Sequence, residues 1–281
     1  HLSYVLSLLV FSIFVAPVPA GNSGPPKIHK VFAFIFGSMI GSFLNVVIYR
    51  LPISKSVVHP RSSCPKCGFM IPWYLNIPII SFLFLRGKCL KCKFVIPKSY
   101  FFMEIFMGLC AMLLAPKGID SNSLIEFFTF FGILSIFTAH FFIDIKHQIL
   151  PDILNLYLLG IVVIYSIMNY SLYHWITGGL IGFIGPFLVT YLFYKIRGVV
   201  GLGGGDIKLY GILGILLGPL GVMNLIFFSC FVGAVIGSIL IGLKKLDRNK
   251  PFAFGPYIIV TAILQIYFPY YFNQVNFLVI K

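Results

Sequence analysis

The sequence contains little charge, and acidic residues are especially few. Only 10% of its 281 residues are charged, and seven residues are Asp or Glu. A soluble globular domain has about 25% charged residues, so this composition excludes an ordinary soluble protein. The hydrophobic fraction of 59% and the mean hydropathy of +1.00 instead predict an all-α polytopic membrane protein.

Two nucleotide-binding patterns are also absent. The glycine-rich stretch GLGGG at 201–205 is not followed by Lys-Ser/Thr, which excludes a P-loop, and it does not open a βαβ unit. The net charge of +14 suggests nucleic acid as a partner. The basic residues follow the positive-inside rule instead, so we expect a membrane surface and no nucleic-acid partner.

Long apolar runs predict about eight transmembrane helices. They lie at residues 31–49, 100–115, 124–143, 153–170, 174–194, 207–218, 222–243 and 253–272. The 207–218 run is short and glycine-rich, so it is either a half-helix or a tilted one. Residues 1–30 form an N-terminal extension of uncertain status, either a signal-like segment or a mis-assigned or truncated extension, and we assign it no function.

The distribution of Lys and Arg predicts the orientation of the chain. If residues 50–98 are cytoplasmic, seventeen basic residues fall on the cytoplasmic side and four on the other, namely Lys27, Lys30, Lys117 and Lys281. A basic cytoplasmic face suits the anionic headgroups of the inner leaflet, so membrane lipids are expected partners. The same threading places Asp144 and Asp206 at the cytoplasmic ends of their helices.

Residues 50–98 form the only long polar insert, and they contain two Cys-x-x-Cys pairs. Cys64, Cys67, Cys89 and Cys92 leave 21 residues between the pairs, just beyond the usual spacing of a four-thiolate zinc site. The alternative is two disulfides, but the cytoplasm keeps thiols reduced. We therefore predict a structural zinc ion that stabilises a small cytoplasmic insert and has no open position for water.

Asp144 and Asp206 are the candidate catalytic residues. Each lies beside a long apolar run, where an ionisable side chain is costly and indicates function. Both begin an Asp-Ile-Lys triplet, and the lysines are expected to reach the headgroups and hold both acids at one depth. A flexible loop with a capping aspartate is the alternative for Asp206. Asp152, beside Pro151, is interpreted as an N-terminal cap or a first-turn acid.

Several ordered motifs resemble those of one family. They are GSFLNVVIYRLP at 41–52, CPKCG at 64–68, NIPIISFLFLRGKCLKC at 76–92, FIDIKHQILPD at 142–152, GGGDIKLYGILG at 203–214 and FAFGPY at 252–257. Across residues 31–260 the chain resembles the bacterial type IV prepilin leader peptidases, which are also N-methyltransferases. The GxGD motif ending at Asp206 is shared with presenilin-like proteases.

The resemblance implies an activity and a division of the chain. Asp144 and Asp206 would cleave the basic leader of prepilin or pseudopilin precursors at the cytoplasmic face of the bacterial inner membrane. The new N-terminus would then be methylated from S-adenosylmethionine, and the resemblance links Gly87 to methylation. It assigns residues 31–49 to the first transmembrane helix, 50–98 to a methyltransferase-associated insert that binds zinc, and 99–281 to a transmembrane aspartyl peptidase domain.

Two other functions fit parts of the pattern. Two membrane-embedded aspartates would also suit a proton- or cation-coupled transporter, although paired broken helices are not evident in the sequence. A zinc module alone would suit a membrane assembly factor that is not an enzyme. Cleavage of a co-expressed precursor discriminates the peptidase from both.

Overall fold

The computed structural model describes residues 26–59, 61–199, 201–244 and 253–269, and the described residues are mainly helical. The helices are α1 (Lys27–Arg50), α2 (Ile80–Phe84), α3 (Lys98–Leu113), α4 (Ser121–His147), α5 (Asp152–Asn169), α6 (Leu172–Arg197), α7 (Gly204–Gly242) and α8 (Gly255–Tyr267). Only two isolated β-bridges occur in this part of the chain. The all-α prediction is confirmed, and most of the 1–30 extension lies outside the described residues.

The chain divides into two compact units. One ends at Ser135 and the other begins at Ile136. The Cys-x-x-Cys pairs fall in the first unit and both candidate aspartates in the second. The functional division at residues 98 and 99 stays a prediction.

Among the described residues, five helices are long and apolar enough to cross a membrane, by length and composition. They are Lys27–Ile53, Ser121–His147, Asp152–Asn169, Leu172–Arg197 and Gly204–Gly242. The predicted count of eight spans is not confirmed: α3 has 16 residues and α8 has 13, and the 207–218 and 222–243 runs both lie in α7, on either side of a break. Large apolar side chains such as Ile164 and Val189 are exposed on α5 and α6, as expected for surfaces in lipid.

Helix α7 is interrupted at Gly218. Its φ of 71° and ψ of −177° are not helical, and Pro219 follows without an amide hydrogen. A Cβ at Gly218 would collide with the His174 ring, so glycine alone fits there. The hydroxyl groups of Tyr210 and Ser229, on opposite sides of the break, are 2.5 Å apart and hydrogen-bonded.

Helices α6 and α7 touch through their backbones. A Cβ at Gly178 would strike the Gly214 carbonyl, and a Cβ at Gly214 would strike the Gly178 carbonyl. Gly182 lies as closely against the Tyr210 carbonyl one turn further along. This spacing of small residues is typical of membrane helices in direct contact. The contact with α6 fixes the first half of α7, and Asp206 lies in the first turn of that helix.

The unit that ends at Ser135 uses the same arrangement. Gly37 and Gly41 of α1 lie against the backbone of α3 at Met107 and Met103. The amide of Asn45 also donates a 3.2 Å hydrogen bond to the Tyr100 carbonyl. These contacts set α3 alongside the second half of α1.

Candidate active site and metal centre

Both candidate aspartates are buried in the unit that begins at Ile136. Asp144 lies in the last turn of α4 and is 4% exposed, and Asp206 lies in the first turn of α7 and is 8% exposed. The N–H of Asp206 donates a 3.1 Å hydrogen bond to the Gly203 carbonyl, which opens α7. The carboxylates are close enough to interact electrostatically. The structure therefore brings together the two acids that the sequence separates by 62 positions.

Glycine backbone approaches each carboxylate. A Cβ at Gly255, the first residue of α8, would lie 2.8 Å from Asp144 Oδ2, and one at Gly203 would lie 3.0 Å from Asp206 Oδ2. Real Cβ atoms do not fit at such distances without a shift of the carboxylate. The glycines thus leave room for both acids between the starts of two helices.

Leu150 connects the surroundings of the two acids. A Cβ at Gly205 would lie 2.9 Å from the Leu150 Cβ, and one at Gly255 would lie 3.3 Å from Leu150 Cδ2. Leu150 is buried in the loop between α4 and α5. This loop therefore contacts both the GGGD segment and the FAFGPY segment, which explains how motifs far apart in the sequence form one site.

Asp144 and the nearby His140 have buried polar atoms without well-formed hydrogen bonds. Among the described residues, Asp144 Oδ2 makes no hydrogen bond of good geometry, although the backbone of Gly255 lies beside this carboxylate. His140, one turn earlier on α4, is completely buried beside the Pro151 carbonyl, but neither ring nitrogen makes a hydrogen bond of good geometry. Such atoms are costly, and they are typical of sites that water or substrate completes.

Asp152 is exposed, unlike the two candidate aspartates. It is the first residue of α5, as the sequence predicts, and it is 74% exposed. Its Oδ1 accepts a 2.6 Å ion-pair hydrogen bond from Lys208 Nζ. Lys208 therefore pairs with an acid on α5, an interaction that the expectation of a lysine reaching the headgroups missed.

The four predicted zinc ligands form one cluster in the other unit. Their Sγ atoms all lie within 4.8 Å of one another, with 3.7 Å between Cys64 and Cys92 and 3.9 Å between Cys67 and Cys89. Four sulfurs around one zinc ion at about 2.3 Å would be about 3.8 Å apart, so the cluster fits a tetrahedral metal site. None of the four forms a disulfide.

The two Cys-x-x-Cys pairs are built in the same way. In the first, the Cys64 N–H donates to the Phe69 carbonyl at 3.0 Å, and in the second the Cys89 N–H donates to Phe94 at 2.8 Å. Gly68 directly follows the first pair and Lys93 directly follows the second, and their φ values are 67° and 57°. The motifs CPKCGFMIP and CLKCKFVIP are thus structural repeats 25 residues apart.

The cysteine pKa values show how the cluster shares its protons. The Cys67 backbone N–H lowers the pKa of Cys64 to about 6, against partial burial that raises it. The Phe94 N–H lowers the pKa of Cys92, but burial and the neighbouring thiols raise it to about 11. One thiolate therefore forms readily, and a cation is needed before all four do.

Gly87 has a conformational role in the same insert. Its φ is 66°, and its N–H donates a 2.8 Å hydrogen bond to the Phe82 carbonyl at the end of α2. A Cβ at Gly87 would lie 2.8 Å from the Phe82 ring. The position therefore requires glycine for the turn itself, and a role in methylation stays a prediction.

Comparison with known proteins gives one consistent result. Residues 35–117 match the Bacterial Peptidase A24 N-terminal domain, and residues 131–238 match the Type IV leader peptidase family. The chain is 33% identical over 263 residues to the prepilin leader peptidase/N-methyltransferase of Stutzerimonas stutzeri, covering 84% of this chain and 90% of that protein. The protein of the same name from Dichelobacter nodosus is 34% identical over 266 residues, covering 83% and 89%. The one from Pseudomonas aeruginosa is 32% identical over 263 residues, covering 84% and 89%. No solved structure matches significantly.

Proposed function

The chain belongs to the prepilin leader peptidase/N-methyltransferase family and is a membrane peptidase with methyltransferase activity, and from this we propose that Asp144 and Asp206 form its catalytic pair. The observation that carries the proposal is that both carboxylates are buried and close enough to interact, beside glycine segments that both pack on the loop residue Leu150. Two neighbouring buried carboxylates share a proton more readily than they both ionise. One carboxylate of such a pair can act as a base on a water molecule while the other acts as an acid on the peptide bond.

The proposed reaction divides the acid and base roles between the two carboxylates. The ionised carboxylate accepts a proton from water as the water attacks the carbonyl carbon, and the protonated one donates to the carbonyl oxygen. Asp144 Oδ2 makes no hydrogen bond of good geometry within the described residues, so we assign it to that water. The glycines at 203 and 255 let each carboxylate pack directly against the backbone, since neither position carries a side chain.

The substrate is a prepilin or pseudopilin precursor with a short basic leader. The chain has only seven acidic residues, and two of them are the catalytic pair. Few acids remain to bind the leader, so lipid headgroups and the groove between helices position it. If leader lysines are replaced by glutamine, turnover in neutral detergent should change little, and a large loss would contradict this part of the proposal.

The cysteine cluster holds a structural zinc ion through Cys64, Cys67, Cys89 and Cys92. Four sulfur ligands leave no open position, so the ion would stabilise the insert and take no part in hydrolysis. S-adenosylmethionine supplies the methyl group for the second activity. Gly87 belongs to the insert that serves methylation, where its turn shapes the backbone after α2.

The orientation completes the proposal. Both aspartates and the insert face the cytoplasm, and the protein spans the bacterial inner membrane several times, because seventeen basic residues then lie inside against four outside. Membrane lipids are partners of the basic side, and nucleic acid is not a partner. No comparison supports the transporter hypothesis.

Co-expression with a prepilin-like precursor tests the catalytic pair. Cleavage, measured by mass, should be lost in Asp144→Asn and in Asp206→Asn. Asp152→Asn is the matched control, because Asp152 is exposed and only pairs with Lys208, and it should keep cleaving. Continued cleavage by either of the first two variants, at wild-type protein levels, would remove that residue from the mechanism.

A further inference from the structure

Residues 77–84 of the insert carry an unusual exposed apolar surface. This segment comprises a turn and the short helix α2, and Phe84 is 80% exposed, with Ile80 and Leu83 also exposed. Adjacent exposed apolar side chains mark a surface that contacts lipid or protein. The level of the segment along the membrane-spanning helix α1 indicates which of the two it contacts.

Glu104 of α3 gives the first measure of depth. A Cβ at Gly41 of α1 would lie 2.9 Å from the Glu104 Cα, so the two residues are level. Gly41 lies eight residues before Tyr49, where the apolar run 31–49 of α1 ends. Eight residues of helix rise about 12 Å, and the hydrocarbon layer is about 30 Å thick. Glu104 is therefore near the middle of the layer.

The insert reaches down to this glutamate. The backbone N–H of Ile79 donates a 2.7 Å hydrogen bond to Glu104 Oε2. Ile79 has φ 64° and ψ −55°, a strained conformation for a β-branched residue. Irregular backbone at membrane depth must have its polar groups satisfied internally. The buried carboxylate of Glu104 does this for the strained turn.

An aromatic contact gives an independent measure. The Phe82 ring stacks on Phe101 of α3, with 5.0 Å between the ring centroids. The carbonyl of Tyr100, the residue before Phe101, accepts a hydrogen bond from the side-chain amide of Asn45 of α1. Asn45 lies four residues, about 6 Å, inside the end of the apolar run. Both measures place the segment below the level at which α1 leaves the hydrocarbon layer.

Cations follow the apolar segment directly. Arg86, Lys88 and Lys93 line a pocket together with Phe84 and Leu90. Residues 50–98 contain nine Lys and Arg and no Asp or Glu. A zinc ion with four thiolates would offset only two of these charges. The remaining positive charge complements anionic headgroups at the point where the segment leaves the membrane.

We propose that residues 77–84 form a re-entrant segment that enters the lipid bilayer. Ile80, Leu83 and Phe84 contact acyl chains, and the three cations of the pocket contact anionic phospholipid headgroups. The insert is thus partly a membrane-embedded structure, anchored from within by Glu104. This inference depends on the membrane location of the chain and is independent of the catalytic roles of Asp144 and Asp206.

Photolabelling of the full-length wild-type protein tests the proposal. The protein is placed in nanodiscs of phosphatidylethanolamine and phosphatidylglycerol that contain a lipid with a diazirine in its acyl chain, and adducts are mapped by mass spectrometry. We expect adducts within residues 77–84 and on α5 near Ile164, and none on the first cysteine motif, residues 62–71. Adducts near Ile164 without any in residues 77–84 would overturn the proposal. The same result is expected if protein and not lipid covers the segment, so that alternative is tested as well.

The contact with headgroups is tested separately by changing the lipid. Discs made only of phosphatidylcholine should reduce labelling of residues 77–84 relative to labelling near Ile164, because Arg86, Lys88 and Lys93 lose their anionic partners. An unchanged ratio would overturn the headgroup contact.

A fluorescence reporter gives a second, site-specific test. Phe84→Trp, in a background of Trp73→Phe and Trp175→Phe, should be quenched by brominated acyl chains and protected from aqueous iodide. Met70→Trp is the matched control, because Met70 is 64% exposed within a cysteine motif, and it should show the opposite pattern. Equal iodide access at both positions would overturn the proposal.

The anchor can be tested with the same reporter. Glu104→Ala should raise iodide access at position 84 towards that of the Met70 reporter, because the Ile79 N–H loses its acceptor. Glu104→Gln keeps an acceptor oxygen and should leave iodide access low. No change in Glu104→Ala would contradict the role of Glu104 in holding the segment.

Discussion

The Gly255 backbone lies so close to Asp144 that a single methyl group should disturb the site. In Gly255→Ala the new Cβ would lie 2.8 Å from Asp144 Oδ2, so the carboxylate must move. Displacement of a catalytic group by about 1 Å can cost on the order of 100-fold in rate. We expect precursor cleavage in nanodiscs to slow about 10- to 100-fold.

Gly160→Ala is the control for this substitution. Gly160 lies in α5, and a Cβ there meets nothing within 4 Å. Its cleavage rate should equal that of the wild type. Equal rates for Gly255→Ala and the wild type would show that the Asp144 carboxylate is not confined as the structure has it.

The two positive-φ glycines of the insert offer a matched pair. Gly87 and Gly68 have φ values of 66° and 67°, so alanine costs about 1–2 kcal/mol of backbone strain at either position. Only Gly87→Ala also meets the Phe82 ring, whereas Lys93 shows that a side chain is accommodated at the place equivalent to Gly68. We expect Gly87→Ala to lower N-methylation, measured by mass, much more than Gly68→Ala, with cleavage retained in both. Equal methylation in both variants would contradict the expectation.

At the scale of elements, the α6–α7 contact holds the first half of α7 in place. A Cβ at Gly178 would strike the Gly214 carbonyl and approach the Gly218 Cα to 2.7 Å, and neither is a flexible side chain. Forced separation of packed elements typically costs about 1–3 kcal/mol. Gly178→Ala should therefore lower the thermal unfolding temperature in detergent and reduce cleavage, because α7 carries Asp206.

Gly185→Ala tests whether this effect is specific. Gly185 is on the same helix, and a Cβ there meets nothing within 4 Å. Alanine is also a better helix former than glycine, by about 1 kcal/mol. The unfolding temperature of Gly185→Ala should equal or exceed that of the wild type. A similar decrease of the unfolding temperature in both variants would mean that the close contact at Gly178 does not cause the decrease.

At the scale of the whole molecule, the candidate metal site and the proposed catalytic pair lie in separate compact units. The cysteine cluster lies in the unit that ends at Ser135, and Asp144 and Asp206 lie in the other. We expect the purified protein to contain about one zinc ion, and Cys64→Ser with Cys92→Ser to contain none and to be cut faster by protease within residues 50–98. Cys110→Ser, at a buried cysteine outside the cluster, should keep its zinc.

Acid should weaken metal binding by the cysteine cluster. The pKa of Cys64 lies at about 6, below its usual value of 9.0, so this thiolate is present above pH 6 and becomes protonated as the pH falls through that value. Metal binding must also displace the protons of the other thiols. The chelator concentration that removes half of the zinc should therefore decrease from pH 8 to pH 5. A constant value would show that the cysteines are not the ligands.

The sequence by itself determined the fold class, the family and the candidate residues. Apolar runs of spanning length, two Cys-x-x-Cys pairs and two Asp-Ile-Lys triplets are local patterns, and local patterns are visible without a structure. It also predicted that Asp152 begins a helix, because Pro151 precedes it. It also predicted that the four cysteines form one site, and the structure brings the two pairs together.

Only the tertiary structure decided which segments meet. The contacts of Leu150 with Gly205 and Gly255, the pairing of Lys208 with Asp152 and the bond from Ile79 to Glu104 join residues far apart in the chain. Such contacts depend on how helices pack and not on hydrophobic periodicity. The count of eight spans is not confirmed for a related reason: an apolar run shows composition, whereas the lengths of α3 and α8 and the break at Gly218 depend on how the chain folds.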